Sequence, residues 1–127
     1  MKATILSVLA AIILITGAVF LTGNSNRQND SINNVNIVDG KQIIEINAKG
    51  GYFPGVTKAQ ANLPTVIKVN TKGTFDCSSA LVIPSLNYRK NLPLSGETVI
   101  DVPPQKPGAR LQGLCAMGMY NFSIDFN

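Results

Sequence analysis

The chain has 127 residues, enough for one ordinary domain, of which 45% are apolar and only 14% charged. It contains no histidine and only two cysteines. That excludes Ser-His-Asp and Cys-His catalytic units, zinc or blue-copper centres built on imidazole, and a four-cysteine zinc site. The net charge of +4 is spread singly along the chain, without a basic run or basic–aromatic interleaving, so there is no nucleic-acid-binding signature.

Lys2 precedes an uncharged apolar run, Ala3 to Leu21, about as long as a helix needs to cross a bilayer. The positive-inside rule keeps the Lys2 end cytoplasmic and puts everything after the run outside. A cleaved signal peptide shares this layout, with Thr16-Gly17-Ala18 and Gly23-Asn24-Ser25 as candidate cleavage sites. Residues 1–23 are therefore read as an N-terminal apolar helix that anchors the chain through residues 3–21, with a cleaved signal as the alternative. Residues 24–39 include six asparagines and few large apolar side chains. Such a segment cannot bury enough surface to order itself and is expected to be a flexible linker.

Residues 40–127 read as the folded domain. No helical period is visible, and short β-branched and aromatic runs alternate with Gly, Pro and Asn. Strands are expected over Ile43–Ala48, Thr65–Thr71, Ser79–Ile83, Glu97–Val102 and Ala109–Cys115. A sixth and last strand is the cleanest: Tyr120, Phe122, Ile124 and Phe126 alternate with Asn121, Ser123, Asp125 and Asn127, the period of a sheet packed on one side. Six or more short strands at this spacing predict an all-β, two-sheet antiparallel sandwich. Tyr52 and Phe53, after Gly50-Gly51, are expected to plug one end of it. Arg89 and Lys90 fall in a solvated polar connection. Asp76 and Asp125 offer no carboxylate pair for acid–base chemistry, and no nucleophile is activated, so the chain is read as a non-enzyme.

The chemistry is concentrated in Cys115-Ala116-Met117-Gly118-Met119, between the last two strands. Gly118 allows a tight turn there. Loops from different strands gather at one end of a sandwich, so Cys77, at the start of its own strand, can meet this loop. Thiolate and thioether sulfurs are soft ligands that select Cu(I) over Zn(II), calcium or magnesium. Two plainer readings compete. An oxidising compartment favours a structural Cys77–Cys115 disulfide, and Met117 and Met119 can serve as core filler.

The succession Gly50-Gly51-Tyr52-x-Pro54, Asp76-Cys77, Val82-x-Pro84, Lys90-x-Leu92-Pro93, Gly96-Glu97, Pro107-Gly108 and Cys115-x-Met117-Gly118-Met119 resembles the cupredoxin-like domains found with bacterial heavy-metal handling and transport proteins. The resemblance covers about Ile43 to Asn127. It implies an antiparallel Greek-key β-sandwich with a metal site at its loop end. Ordinary cupredoxins use His, Cys, His and Met there. Cys115 matches the cysteine of the last loop, Cys77 stands where the first histidine would be, and the second histidine is missing. This departure favours binding of Cu(I) or Ag(I) over redox cycling. The combined expectation is an extracytoplasmic protein, tethered or secreted. It would capture, buffer or deliver Cu(I) through Cys77, Cys115, Met117 and Met119, with a metal transporter or copper acceptor as partner. The rivals are a metal-free interaction module stapled by Cys77–Cys115 and an electron-transfer protein with an altered copper centre.

Overall fold

The computed structural model describes residues 5, 7–13 and 33–127, and the chain divides into two units, Met1–Ser31 and Ile32–Asn127. In the first, residues 5 and 7–13 are helical. No helix among the described residues is long and apolar enough to cross a membrane. Most of the anchor expected over residues 3–21, and residues 24–32 of the linker, lie outside the described residues.

The second unit is a sandwich of ten strands: β1 (Val35–Val38), β2 (Lys41–Ala48), β3 (Tyr52–Phe53), β4 (Val56–Ala59), β5 (Thr65–Thr71), β6 (Ala80–Ile83), β7 (Tyr88–Asn91), β8 (Gly96–Val102), β9 (Arg110–Cys115) and β10 (Asn121–Phe126). One sheet runs β1-β2-β5-β8 with β3 on β2; the other runs β4-β10-β9-β6-β7. The bounds of the six expected strands agree with this closely, but β3, β4 and β7 are additional, and Arg89 and Lys90, expected in a loop connection, lie in β7, paired with β6. The expected purely antiparallel pairing does not hold. β2 pairs with β5, and β10 with β4, in parallel. The cause is the path after β2: β4 crosses into the opposite sheet, so the chain re-enters the first sheet at the end where β2 began.

The start of the domain also moves. Val35–Val38, expected to close the linker, pair with Lys41–Ile44 as a hairpin. Asp39 and Gly40 both take positive φ, 52° and 73°, the two-residue turn whose twist matches antiparallel strands. Asn34 pins this hairpin: its side-chain amide donates to Glu45 O at 3.0 Å and to Thr57 Oγ1 at 2.9 Å.

The inner faces interdigitate Ile44, Ile46, Ile67, Val69 and Ile100 from one sheet with Leu81, Ile83, Leu111, Phe122, Ile124 and Phe126 from the other. On β5, Val66 is buried as well as Ile67. On the outer face of the second sheet, Asp125 lies between Arg110, 2.6 Å away, and Lys58, at 2.7 Å, joining β4, β10 and β9. Hydrogen bonds first from Arg110 and then from Lys58 hold the Asp125 carboxyl at about 2. An unfolded aspartate titrates near 4, so this contribution is complete above about pH 4 and is lost as pH falls through about 2. Asp125→Asn is therefore expected to flatten the fall of Tm between pH 4 and pH 2, read by thermal melting. Both cations are exposed, so the effect is modest and shrinks with added salt.

Candidate metal centre

Register fixes which loops meet. The ends of β2 and β5, the start of β8, the start of β6, the end of β9 and the start of β10 lie at one pole. Residues 49–51, 72–79, 92–95 and 116–120 are therefore neighbours. Hydrogen bonds lace them together. Thr74 Oγ1 donates to Ala48 O at 2.6 Å, Thr74 N to Leu94 O at 2.9 Å, and Gly73 N to Ser95 Oγ at 2.8 Å.

Cys77 opens a single 3₁₀ turn, Cys77–Ser79, whose cap is Asp76. One carboxylate oxygen of Asp76 accepts from Ser78 N at 2.8 Å and from Ser78 Oγ; the other accepts from Gly50 N at 2.8 Å. These bonds, those from Ser78 foremost, hold the Asp76 carboxyl below its usual range. Asp76 thus ties the β2–β3 turn to the Cys77 turn. A second tie comes from Tyr52. Its hydroxyl donates to Ser78 O at 3.0 Å, and its ring meets Phe122 edge-on with centroids 5.2 Å apart. Burial, and secondarily the Asp76 charge, push the Tyr52 phenol up to about 12, so it remains a donor. The expectation for Tyr52 holds, whereas Phe53 is exposed and plugs nothing.

Cys115 ends β9 opposite Leu81 and is fully buried. The loop after it is held by its backbone: Ala116 N donates to Ala80 O, Gly118 N to Cys115 O, and Cys115 N to Tyr120 O, at 2.8, 2.8 and 3.0 Å. Gly118 takes φ +72°, the left-handed conformation that suits glycine. Tyr120 N donates to Cys115 Sγ at 3.4 Å. The structure joins Cys77 and Cys115 as a disulfide, with Cα atoms 5.7 Å apart.

Of the four sulfur residues expected at the site, the fold therefore brings the two cysteines into bonding contact. Met117 and Met119 stand on the same loop but in solvent, 82% and 64% exposed, which removes the core-filler reading. Phe75, two residues before Cys77, is also exposed. Among the described residues no cluster of three or more His, Cys, Asp or Glu is present. The donors at this pole are two cysteine sulfurs and two thioethers, a set that suits a soft monovalent ion. It fits copper only with the cysteines reduced, because a thiolate and not a disulfide sulfur is the strong ligand. The roles of Asp76 and of the Tyr120 amide were missed from sequence. The spacing Asp76-x-Ser78 is a legible cap signature; a backbone amide aimed at a sulfur has none.

A family model described as cupredoxin-like domain matches residues 10–126. No curated protein matches the chain. Among solved structures, it is similar to the crystal structure of the metal-binding domain of the Streptococcus pneumoniae D39 Cu(I)-exporting P-type ATPase CopA with Cu(I). The identity is 24%, the TM-score 0.64, and the match covers 73% of this chain and 92% of that one. It is also similar to the solution structure of a copper binding protein in its apo form, at 24% identity and TM-score 0.66, covering 73% and 94%. These likenesses establish the fold.

Proposed function

This chain belongs to the cupredoxin-like domain family, and on that premise we propose that it binds Cu(I) through the sulfur atoms at the loop pole. Reduced Cys77 and Cys115 supply two thiolates, and Met117 and Met119 supply thioethers from the exposed loop. The protein is a carrier, not an enzyme: it captures, buffers or delivers copper to a transporter or an acceptor protein. One observation carries this reading. Two cysteines 38 residues apart are placed side by side at the pole that also holds the Cys-x-Met-x-Met loop. The copper association of both structural neighbours supports it. The disulfide favours a second reading, in which the pair only staples the sandwich. Competition for Cu(I) against a chromophoric chelator, with the reduced chain, tests the first against the second.

Without imidazole, the site is not suited to hold Cu(II). Adding Cu(II) to the reduced chain is expected to give no stable, intensely blue complex. Two thiolates instead pass one electron each to two Cu(II) ions, leaving a disulfide and two Cu(I). A persistent protein-bound Cu(II)–thiolate band in the visible spectrum would favour electron transfer instead.

The site works on the outer side of the membrane, tethered by residues 3–21 or released after their removal. The charge-free run behind Lys2 supports this orientation. A reporter fused after Asn127 is expected to be active only if it is of a kind that works outside the cytoplasm. Activity of a cytoplasm-only reporter there would reverse the topology.

A further inference from the structure

The two sulfurs of the disulfide are not equivalent. Cys115 is fully buried at the end of β9 and belongs to the core with Leu81 and Phe122. Cys77 is only half-buried and opens a turn that follows the exposed Phe75. Disulfide exchange is a displacement at sulfur in which the thiolate attacks along the S–S axis, on the side away from the leaving sulfur. Cys115 has no surface open to an attacking thiolate. Cys77 keeps part of its surface in solvent, where a thiolate can reach it. The leaving position is furnished as well: the Tyr120 amide already donates to Cys115 Sγ, and such a bond strengthens when its acceptor becomes an anion.

We infer that Cys77 is a thiol-exchange site, the sulfur through which a low-molecular-weight thiol opens the Cys77–Cys115 bond, with Cys115 as the leaving thiolate. The incoming thiolate forms a bond to Cys77 Sγ. The Cys77–Cys115 bond breaks and its electron pair stays on Cys115, which is then held by the Tyr120 amide. A second thiolate attacks the added sulfur of the mixed disulfide, displaces Cys77 as a thiolate and leaves as the reductant's own disulfide. Two thiolates have supplied two electrons, and the chain holds two reduced cysteines. In the reverse direction, a small oxidised disulfide modifies Cys77 first, and Cys115 then closes the bond. The order of these steps is a property of this chain whether or not copper follows. Only its consequence, that a thiol reductant opens the site for loading, rests on the copper reading.

Two measurements on the full chain test the order. The reduced protein under native conditions is treated with less than one equivalent of N-ethylmaleimide and mapped by mass spectrometry. Cys77 is expected to carry the label in about tenfold or greater excess over Cys115, with equal labelling once the chain is denatured. Cys115→Ser and Cys77→Ser are then each exposed to oxidised glutathione. The first, with Cys77 free and no resolving thiol, is expected to form the mixed disulfide about tenfold faster or more than the second. Equal labelling of the two cysteines in the native wild-type chain, or a preference for Cys115, would overturn the assignment even where a variant fails to fold. Loss of Cu(I) binding without a change in this preference would strike the copper reading and leave the exchange site standing.

Discussion

Cys77→Ser and Cys115→Ser are each expected to abolish tight Cu(I) binding by the reduced chain, because each removes one of two thiolates, the chain has no histidine, and no carboxylate cluster among the described residues stands ready to replace it. Met117→Leu and Met119→Leu are expected to weaken binding while leaving stability within about 0.5 kcal/mol, since both side chains are exposed. The oxidised protein reports on the other reading. There each cysteine change removes a link between residues 38 apart in sequence and is expected to cost about 2–5 kcal/mol. The two readings separate when both quantities are measured: Cu(I) affinity by chelator competition, and Tm of the metal-free chain with and without reductant. Unchanged Cu(I) affinity in the double cysteine variant would eliminate the copper proposal. A reduced wild-type chain that neither folds nor binds copper would leave the staple as the function of the pair.

How much of this was legible in the sequence differed between local and non-local features. Period two in Phe122, Ile124 and Phe126 gave β10 nearly to the residue, because alternation is a local consequence of the pleat. β1 was overlooked although its signal is also local: Asp39-Gly40 between Val38 and Lys41 is a two-residue hairpin turn. The asparagine-rich composition upstream masked it, and Asn34, counted as linker, proved to be a pin. The parallel β2–β5 and β4–β10 pairs were not legible, since they depend on which sheet β4 joins. The meeting of Cys77 with Cys115 could be expected from the architecture, but not whether the sulfurs would be bonded. The exposure of Met117 and Met119 was open as well. Two residues of the same spacing can share a core face or a solvent face, and only the backbone bonds of residues 115–120 decide between them.

Phe122→Ala is expected to cost about 3–5 kcal/mol of folding stability, read by chemical denaturation of the oxidised chain. The ring is fully buried between the sheets, toward the end of β10 nearest the sulfur pole. It lies over Gly113, its partner across β9 and β10, so closely that a methyl group on Gly113 would overlap the ring. Gly113 is thus required for lack of a side chain, not for backbone freedom. Gly113→Ala is expected to cost about 1–3 kcal/mol by overpacking, and much less once Phe122 is already alanine, because the collision is then absent. A double-mutant cycle reads this coupling directly. The consequence reaches the sulfur pole through one chain of contacts: Phe122 supports the Tyr52 ring, and the Tyr52 hydroxyl holds Ser78 O next to Cys77. Removing the ring should therefore loosen the Cys77 turn before the far pole, and amide exchange at Ser78 and Ser79 should accelerate more than at Gln42. A cost below about 1 kcal/mol for Phe122→Ala, or strict additivity with Gly113→Ala, would show that the ring does not carry the packing between the two sheets assigned to it.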